Sequence, residues 1–309
     1  MEQKANKISI VVPVFNSSEV LNELYDRVEK TFAKEGMDFQ LILVDDYSAD
    51  NSWAVISEIK KRNPGKVIGV RMARNFGQHN AIFCGLRYCT GDLIVTMDDD
   101  LQNLPEEIPI LIKQQQQTGA DIVYGISTNY KKPIARQAAS SALKTATRIF
   151  SDAYGEGSSF RLMRMELVAK LITHTQRFVF IDEIISWYTR NADFIKVTHE
   201  KSKIGRSRYT ASKLISLYYN IVIGYDGAPL KTITVIGFIS SLFSFLVGLY
   251  FIYRKLFFNV RIGYTSIIVS ITFSAGLILL SIGVLGEYLR KMYNLLNAQP
   301  QFSVSEVLE

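Results

Sequence analysis

Short, continuously apolar stretches alternate with longer amphipathic stretches along the first half of the chain. The apolar stretches predict five strands, at residues 8–14, 41–44, 67–72, 93–97 and 121–125. Because they lack polar alternation, these strands are typical of a parallel sheet that is covered on both faces. The stretches between them predict helices at residues 20–36, 51–62, 76–89 and 105–117. This alternation indicates an α/β fold with a parallel, doubly wound sheet.

Local signals refine several boundaries. Ser17 or Ser18 is the expected N-cap of the first helix, and Pro105 suits the first turn of the fourth. Later in the chain, residues 155–161 predict a glycine-rich turn that leads into Leu162 and the next helix. A mostly apolar segment follows at residues 178–187, and a strand is expected at residues 194–200.

Two uncharged stretches near the C-terminus predict membrane spans. Residues 232–253 and 262–286 contain no charged side chain, and crossing a bilayer takes about 20 apolar residues. Six Lys and Arg residues flank the pair of spans and three lie in the link between them, which favours both ends inside the cell. Residues 211–225 carry apolar and aromatic side chains at helical spacing and predict an interfacial helix.

Charge and the N-terminus narrow the class of protein. The 309-residue chain has a net charge of +6, and its basic residues gather just before the first predicted span. Beside a membrane, this charge favours anionic lipid headgroups or phosphates and argues against nucleic acid as a partner. Residues 1–7 are polar and run straight into a strand, so no cleavable signal peptide is expected.

Two acidic clusters follow predicted strands and are the candidate metal-binding or ligand-binding residues. Asp98, Asp99 and Asp100 come directly after residues 93–97, and Asp45 and Asp46 end the strand at residues 41–44. In open α/β sheets, ligands bind beyond the carboxyl ends of the strands. Adjacent carboxylates repel one another, and oxygen ligands of this kind suit Mg²⁺ or Mn²⁺. An acidic turn that caps the next helix is the structural alternative.

The order of several motifs resembles glycosyltransferase family 2, and within it the polyprenyl-phosphate glycosyltransferases. The motifs are Val-Val-Pro-Val-Phe-Asn at 11–16, Val-Asp-Asp-Tyr-Ser-Ala-Asp at 44–50, Arg-Asn-Phe-Gly at 74–77, Met-Asp-Asp-Asp-Leu-Gln at 97–102, Ser-Phe-Arg-Leu at 159–162 and Gly-Arg-Ser-Arg-Tyr at 205–209. The resemblance covers nearly the whole chain, including the two-span tail.

The resemblance implies a GT-A fold, a Rossmann-like and mostly parallel sheet, with interfacial helices and two C-terminal transmembrane helices. The implied metal ligands are Asp98, Asp100 and Gln102, and the implied catalytic residues are Asp98, Asp100 and Arg161. Nucleotide contacts are implied for Pro13, Val14, Asn16, Asp45, Asp46, Arg74, Asn75, Asp98 and Asp99, with Asp99 as the spacer between the two metal ligands. Lipid-phosphate contacts are expected for Arg136, Arg161, Ser207, Arg208 and Tyr209.

Two positions depart from the family pattern. Ser202 stands where Arg is frequent in the family. Ser159 stands where Asp is frequent, so no catalytic role of that Asp is carried over to this chain. A phosphate oxygen is already anionic near neutral pH, so an acceptor of that kind needs alignment and charge neutralisation more than a base.

The implied reaction transfers a sugar, with inversion, from a nucleotide-diphosphate sugar to a polyprenyl phosphate, with Mg²⁺ or Mn²⁺ as cofactor. A UDP-linked hexose and undecaprenyl phosphate are the expected substrates, and membrane lipids are expected partners. A nucleotide-sugar-binding scaffold without catalysis and a processive polysaccharide synthase are the alternatives. Oligomeric state stays open, with a homo-oligomer formed through the spans as one option.

The expected organisation has four parts. They are a GT-A domain at residues 1–205, interfacial helices at 206–231, a transmembrane hairpin at 232–289 and a cytoplasmic tail at 290–309. The expected location is the inner (plasma) membrane, as a multi-pass protein with its catalytic domain in the cytoplasm.

Overall fold

Five apolar strands from the first half of the chain and three short strands from later parts form one eight-stranded sheet in the described part of the computed structural model. The structure describes residues 7–127, 158–173, 180–198, 200, 239, 242, 243, 246, 250, 253, 257, 263–296 and 300–309. The strands are β1 (Lys7–Val14), β2 (Asp38–Asp45), β3 (Val67–Met72), β4 (Leu93–Thr96), β5 (Ile122–Ser127), β6 (Arg161–Arg164), β7 (Ala192–Val197) and β8 (Val304–Leu308).

Helices connect successive strands of the sheet. They are α1 (Leu21–Glu35), α2 (Ser52–Arg62), α3 (Gln78–Leu86), α4 (Ile108–Thr118) with a 3₁₀ turn before it (Pro105–Glu107), α5 (Met165–Leu171) and α6 (Ile181–Tyr188). The strand order is β7-β5-β6-β4-β1-β2-β3-β8. The parallel pairs are β1 with β2, β1 with β4, β2 with β3 and β5 with β7. The prediction of a mostly parallel α/β sheet is therefore confirmed.

The register of the central strands places the carboxyl ends of β2 and β4, where the acids lie, close to the height of the end of β1. Val14 pairs with Asp45 across β1 and β2, and Val11 pairs with Thr96 across β1 and β4. The apolar side chains of β1, β2 and β4 are buried against the helices, which holds these strands rigidly in the core. Asp45 and Asp98 therefore lie at one edge of the sheet, on either side of the end of β1.

β6 was not predicted. The sequence predicts a passage from a glycine-rich turn into a helix at residues 161–164, but these residues form a strand that is antiparallel to both β4 and β5. Only Leu162 and Met163, both fully buried, carry the apolar signal, and arginines stand at each end. The pairing with β4 and β5 compensates for the weak local preference.

The end of the chain also differs from the expected tail. Within residues 290–309, the stretch 304–308 forms β8, which pairs antiparallel with β3. The Ala73 N–H donates to the carbonyl of Ser303 (2.8 Å), and Trp53 Nε1 donates to Glu306 (3.1 Å). These bonds occupy the edge of β3.

The described residues fall into two units, Met1–Arg208 with Pro300–Glu309, and Tyr209–Gln299. The second unit contains α7 (Tyr264–Leu296). Over the described part of the chain, no helix combines the length and apolar character needed to cross a membrane. The spans expected at residues 232–253 and 262–286 stay predictions, and the interfacial helix expected at 211–225 lies outside the described residues.

Candidate functional site

Asp98 begins the acidic turn after β4 and has a partner on each carboxylate oxygen. Gln78 Nε2, at the start of α3, donates to Oδ1 (2.5 Å), and the Ser159 hydroxyl, just before β6, donates to Oδ2 (2.6 Å). Burial raises the pKa of Asp98 to about 6. The Ser159 bond lowers this pKa, the charges of Asp100 and Asp99 raise it, and the charge of Arg161 lowers it. A nearby cation would stabilise the ionised form.

Asp99 does more than separate its two neighbours. Its carboxylate is buried and accepts hydrogen bonds from the Phe15 N–H (3.1 Å) and from the Ser17 hydroxyl. Ser17 therefore does not cap α1, whose N-cap position is Val20, without a side-chain hydrogen bond. Asp99 anchors the loop between β1 and α1 instead.

Asp100 and Gln102 lie in a tight turn. Asp100 Oδ1 accepts a hydrogen bond from the Gln102 N–H (3.1 Å), and Leu101 between them has a left-handed φ of 57° with its side chain fully buried. The Glu200 N–H donates to the carbonyl of Gln102 (3.0 Å), which ties the segment after β7 to this turn.

The donor chemistry around Asp98 and Asp100 fits a divalent cation shared with a phosphate ligand. Two carboxylates two residues apart supply hard oxygen ligands, and Mg²⁺ and Mn²⁺ complete their shells with water and substrate phosphates. In the described part of the chain, no group of three or more His, Cys, Asp or Glu side chains is arranged to hold a metal ion.

Asp46 anchors the loop that follows β3. Its carboxylate accepts hydrogen bonds from the Phe76 N–H (2.7 Å) and the Gly77 N–H (2.9 Å), and its carbonyl accepts one from Asn75 Nδ2 (3.3 Å). Gly77 has φ of 91°, a conformation that favours glycine. Burial raises the pKa of Asp46 to about 6, against the lowering effect of the two N–H donors. The exposed Arg74 lies over the Phe76 ring (4.7 Å).

The ends of β1 and β2 are tied to each other. Pro13 and Val14 are buried in β1, and the Val14 carbonyl accepts a hydrogen bond from the Asp46 N–H (2.8 Å). Asn16 is exposed with φ of 52°, and its side-chain oxygen accepts a hydrogen bond from the Ala49 N–H (2.8 Å). Asp45 is fully buried and accepts a hydrogen bond from the Ser48 N–H (3.1 Å). Burial is the largest cause of its raised pKa.

Arg161 lies beneath the acids with an internal partner. It is 2% exposed, and its guanidinium pairs with the buried carboxylate of Asp182 at 2.5 Å. The Tyr124 hydroxyl donates to the same oxygen (3.1 Å). His79 is close to this pair, and burial, followed by the charge of Arg161, lowers the pKa of His79 to about 4. The structure thus directs Arg161 toward Asp182, whereas the sequence predicted contact with a lipid phosphate.

Three side chains that contact predicted site residues were missed or only partly identified from the sequence. Gln78 and Asp182 carried no motif signal, because each acts through a partner that is distant along the chain. The sequence marks Ser159 only as a departure from a family pattern and carries no signal of its hydrogen bond to Asp98. The other predicted lipid-phosphate contacts, Arg136, Ser207, Arg208 and Tyr209, lie outside the described residues.

Comparisons with known proteins show which chains this one resembles. The family profile described as glycosyl transferase family 2 matches residues 9–172. An undecaprenyl-phosphate 4-deoxy-4-formamido-L-arabinose transferase of Klebsiella pneumoniae (strain 342) is 32% identical over 98% of this chain and 94% of its own length. The transferase of the same name from Proteus mirabilis (strain HI4320) is 32% identical over 99% and 95%.

Among solved structures, glucosyl-3-phosphoglycerate synthase from Mycobacterium tuberculosis, in complex with Mn²⁺, UDP-glucose and phosphoglyceric acid, is similar in fold. Its TM-score is 0.53 at 15% identity, over 71% of this chain and 78% of that chain. The complex of the same synthase with UDP has a TM-score of 0.52 at 16% identity, over the same shares.

Proposed function

Because the chain belongs to glycosyltransferase family 2, we propose that it transfers a sugar, with inversion, from a UDP-linked donor to the phosphate of undecaprenyl phosphate. The chain is a glycosyltransferase, and its similarity to undecaprenyl-phosphate sugar transferases extends over nearly its full length. The observation that carries the proposal is the pair Asp98 and Asp100 at the end of β4, beside loops that Asp46 and Asp99 hold in place.

The residues at this edge suit the handling of a nucleotide diphosphate. Asp98 and Asp100 would hold Mg²⁺ or Mn²⁺, with Gln102 beside them, and the cation would supply positive charge to the diphosphate leaving group. The ends of β1 and β2 and the loop at Arg74 and Asn75 would bind the nucleoside part of the donor. Beneath them, the Arg161 guanidinium adds a fixed positive charge that favours ionised Asp98.

A phosphate acceptor is compatible with a serine, rather than an acid, at position 159. In the transfer, the bond from the anomeric carbon to the donor diphosphate breaks, and a bond to an acceptor phosphate oxygen forms. That oxygen is already deprotonated near neutral pH, so the transfer needs no general base. A serine can therefore stand at position 159, where relatives frequently have an aspartate. Arg136, Ser207, Arg208 and Tyr209 are the proposed contacts to the acceptor phosphate, and we place the reaction at the cytoplasmic face of the plasma membrane.

The proposal is tested by an assay of sugar transfer to the lipid phosphate. Purified full-length protein is mixed with undecaprenyl phosphate, Mn²⁺ and a panel of nucleotide sugars, starting with UDP-linked hexoses and pentoses, and lipid-linked product is followed. Asp98→Asn and Asp100→Asn should abolish product, whereas Asp92→Asn, at the amino end of the same strand, should retain it. Nucleotide binding without lipid-linked product from any donor would support the scaffold alternative. Full activity of both strand-end variants would overturn the metal assignment.

A further inference from the structure

Three residues other than glycine have a left-handed backbone in the described part of the chain. They are Asn16 (φ 52°), Tyr47 (φ 61°) and Leu101 (φ 57°). Each follows the carboxyl end of a central strand, β1, β2 or β4. L-residues are disfavoured in this region because Cβ approaches a carbonyl oxygen, so such a residue persists only where its surroundings compensate.

Two of the three residues are compensated within the chain. Asn adopts this region more readily than most residues, and the side-chain oxygen of Asn16 accepts a hydrogen bond from the Ala49 N–H at 2.8 Å. Leu101 is fully buried, so packing of its side chain in the core offsets the backbone cost.

Tyr47 has neither form of compensation. Its side chain is 53% exposed, and within the described residues it has no hydrogen bond or ring contact. The chain on both sides is held: the Asp46 N–H donates to the Val14 carbonyl (2.8 Å), and the Ser48 N–H donates to Asp45 (3.1 Å). These bonds fix the strained residue and present an aromatic ring to solvent at the edge of the candidate site.

The position of Tyr47 suggests what the ring contacts. β1 lies between β2 and β4, so the ends of β2 and β4 are about 10 Å apart, two strand spacings. A nucleotide whose diphosphate lies at Asp98 and Asp100 would reach its base across β1 to the end of β2. The Asp46 bonds also bring the loop of Asn75 and Phe76 beside this point.

We propose that Tyr47 is a nucleobase platform, on which the base of the donor nucleotide stacks. This inference rests on the proposed function and adds a donor-binding residue to it. An exposed aromatic ring on a backbone that its neighbours hold in place suits a flat heterocycle, since stacking uses the face of the base. The otherwise uncompensated backbone conformation is then offset in the nucleotide-bound protein.

The test compares two ligands on three proteins by calorimetric titration in the presence of Mn²⁺. UDP has a base, and pyrophosphate reports the diphosphate site alone. Tyr47→Asn tolerates the left-handed backbone and removes the ring, so it should bind UDP about tenfold more weakly and pyrophosphate unchanged. Tyr47→Phe keeps the ring and should bind UDP within about twofold of the unmodified protein.

The outcomes separate this inference from the proposed function. If Tyr47→Asn binds UDP as well as the unmodified protein, or loses UDP and pyrophosphate equally, the stacking role is overturned. If the unmodified protein binds none of UDP, GDP and ADP, the proposed function itself fails. A melting temperature of nucleotide-free Tyr47→Asn at or above that of the unmodified protein shows that weaker UDP binding is not a folding defect.

Discussion

The hydroxyl of Ser159 donates a 2.6 Å hydrogen bond to Oδ2 of Asp98, and this bond joins the segment just before β6 to the turn that follows β4. With Gln78 on the other oxygen, this bond orients the carboxylate that is proposed to bind the metal ion. Groups that orient a metal ligand through hydrogen bonds affect metal affinity although they do not touch the ion.

Removal of this bond is expected to weaken metal binding. Ser159→Ala should reduce Mn²⁺ affinity about tenfold, because the freed carboxylate loses its fixed orientation. Titration of free Mn²⁺ by electron paramagnetic resonance measures the change. Ser186→Ala is the matched control, since the hydroxyl of Ser186 donates to Glu183 within α6. Equal Mn²⁺ affinity in Ser159→Ala and Ser186→Ala would contradict the orienting role.

The raised pKa of Asp98 predicts how stability changes with pH in the absence of metal. Its pKa of about 6 lies above the ordinary value of 3.8, so the folded protein binds this proton more tightly than the unfolded chain. The stabilisation is present below about pH 4 and is lost as pH rises to about 6. Asp98→Asn should therefore be more stable than the unmodified protein at neutral pH, on the order of 2 kcal/mol.

Thermal unfolding of both proteins across this pH range, with chelator present, measures the effect. Asp46 also has a pKa of about 6 and is retained in both proteins, so their difference isolates Asp98. A constant difference in melting temperature from low to neutral pH would contradict the assignment.

Asp99 is expected to be essential for the loop after β1. Asp99→Ala removes the carboxylate that accepts hydrogen bonds from both the Phe15 N–H and the Ser17 hydroxyl, and the Ser17 hydroxyl keeps the Phe15 carbonyl as an acceptor (3.1 Å). The free energy of unfolding should fall by about 1–3 kcal/mol. Asp99→Asn keeps an acceptor oxygen and should lose less than half as much. Denaturant unfolding compares the two variants, and equal losses would show that charge, not hydrogen bonding, is what Asp99 supplies.

The pair of Arg161 and Asp182 is expected to behave as a buried unit. Asp182→Leu alone leaves a buried guanidinium without its carboxylate and should cost about 3–5 kcal/mol of stability. Combining it with Arg161→Met removes both charges and should recover much of the loss. Denaturant unfolding of the two single variants and the double variant tests this. If the double variant loses as much free energy of unfolding as the two single variants together, Arg161 and Asp182 do not stabilise the fold as a pair.

β8 is expected to stabilise the sheet. Deletion of residues 300–309 removes the ladder with β3 and the hydrogen bond from the Ala73 N–H to the Ser303 carbonyl. At about 1 kcal/mol for each hydrogen bond lost, we expect the free energy of unfolding to fall by a few kcal/mol. Thermal unfolding and light scattering would report the loss and the exposed edge. Glu306→Ala, which removes only the exposed bond to Trp53, is the mild control. Unchanged melting after deletion would show that β8 is dispensable.

Local pattern was sufficient for the central strands because each is a continuous apolar run that has to be buried. The observed β1, β2, β3 and β4 lie within a few residues of their predicted bounds. It was insufficient for β6 and β8, which are short and carry charged or polar residues. These two strands form because a partner edge is available, and that edge is created by segments distant along the chain.

The sequence by itself determined that acids follow β2 and β4 and that these strands lie in one parallel sheet. The residues alone did not distinguish Asp98 from Asp99; the family resemblance named Asp98 a metal ligand and Asp99 the spacer, without indicating where either carboxylate points. Only the tertiary structure decided where each carboxylate points, because this depends on donors that are distant along the chain: Gln78 and Ser159 for Asp98, and Phe15 and Ser17 for Asp99. Hydrophobic periodicity reports burial, whereas the direction of a buried polar group is determined by the hydrogen-bond partners that folding brings to it.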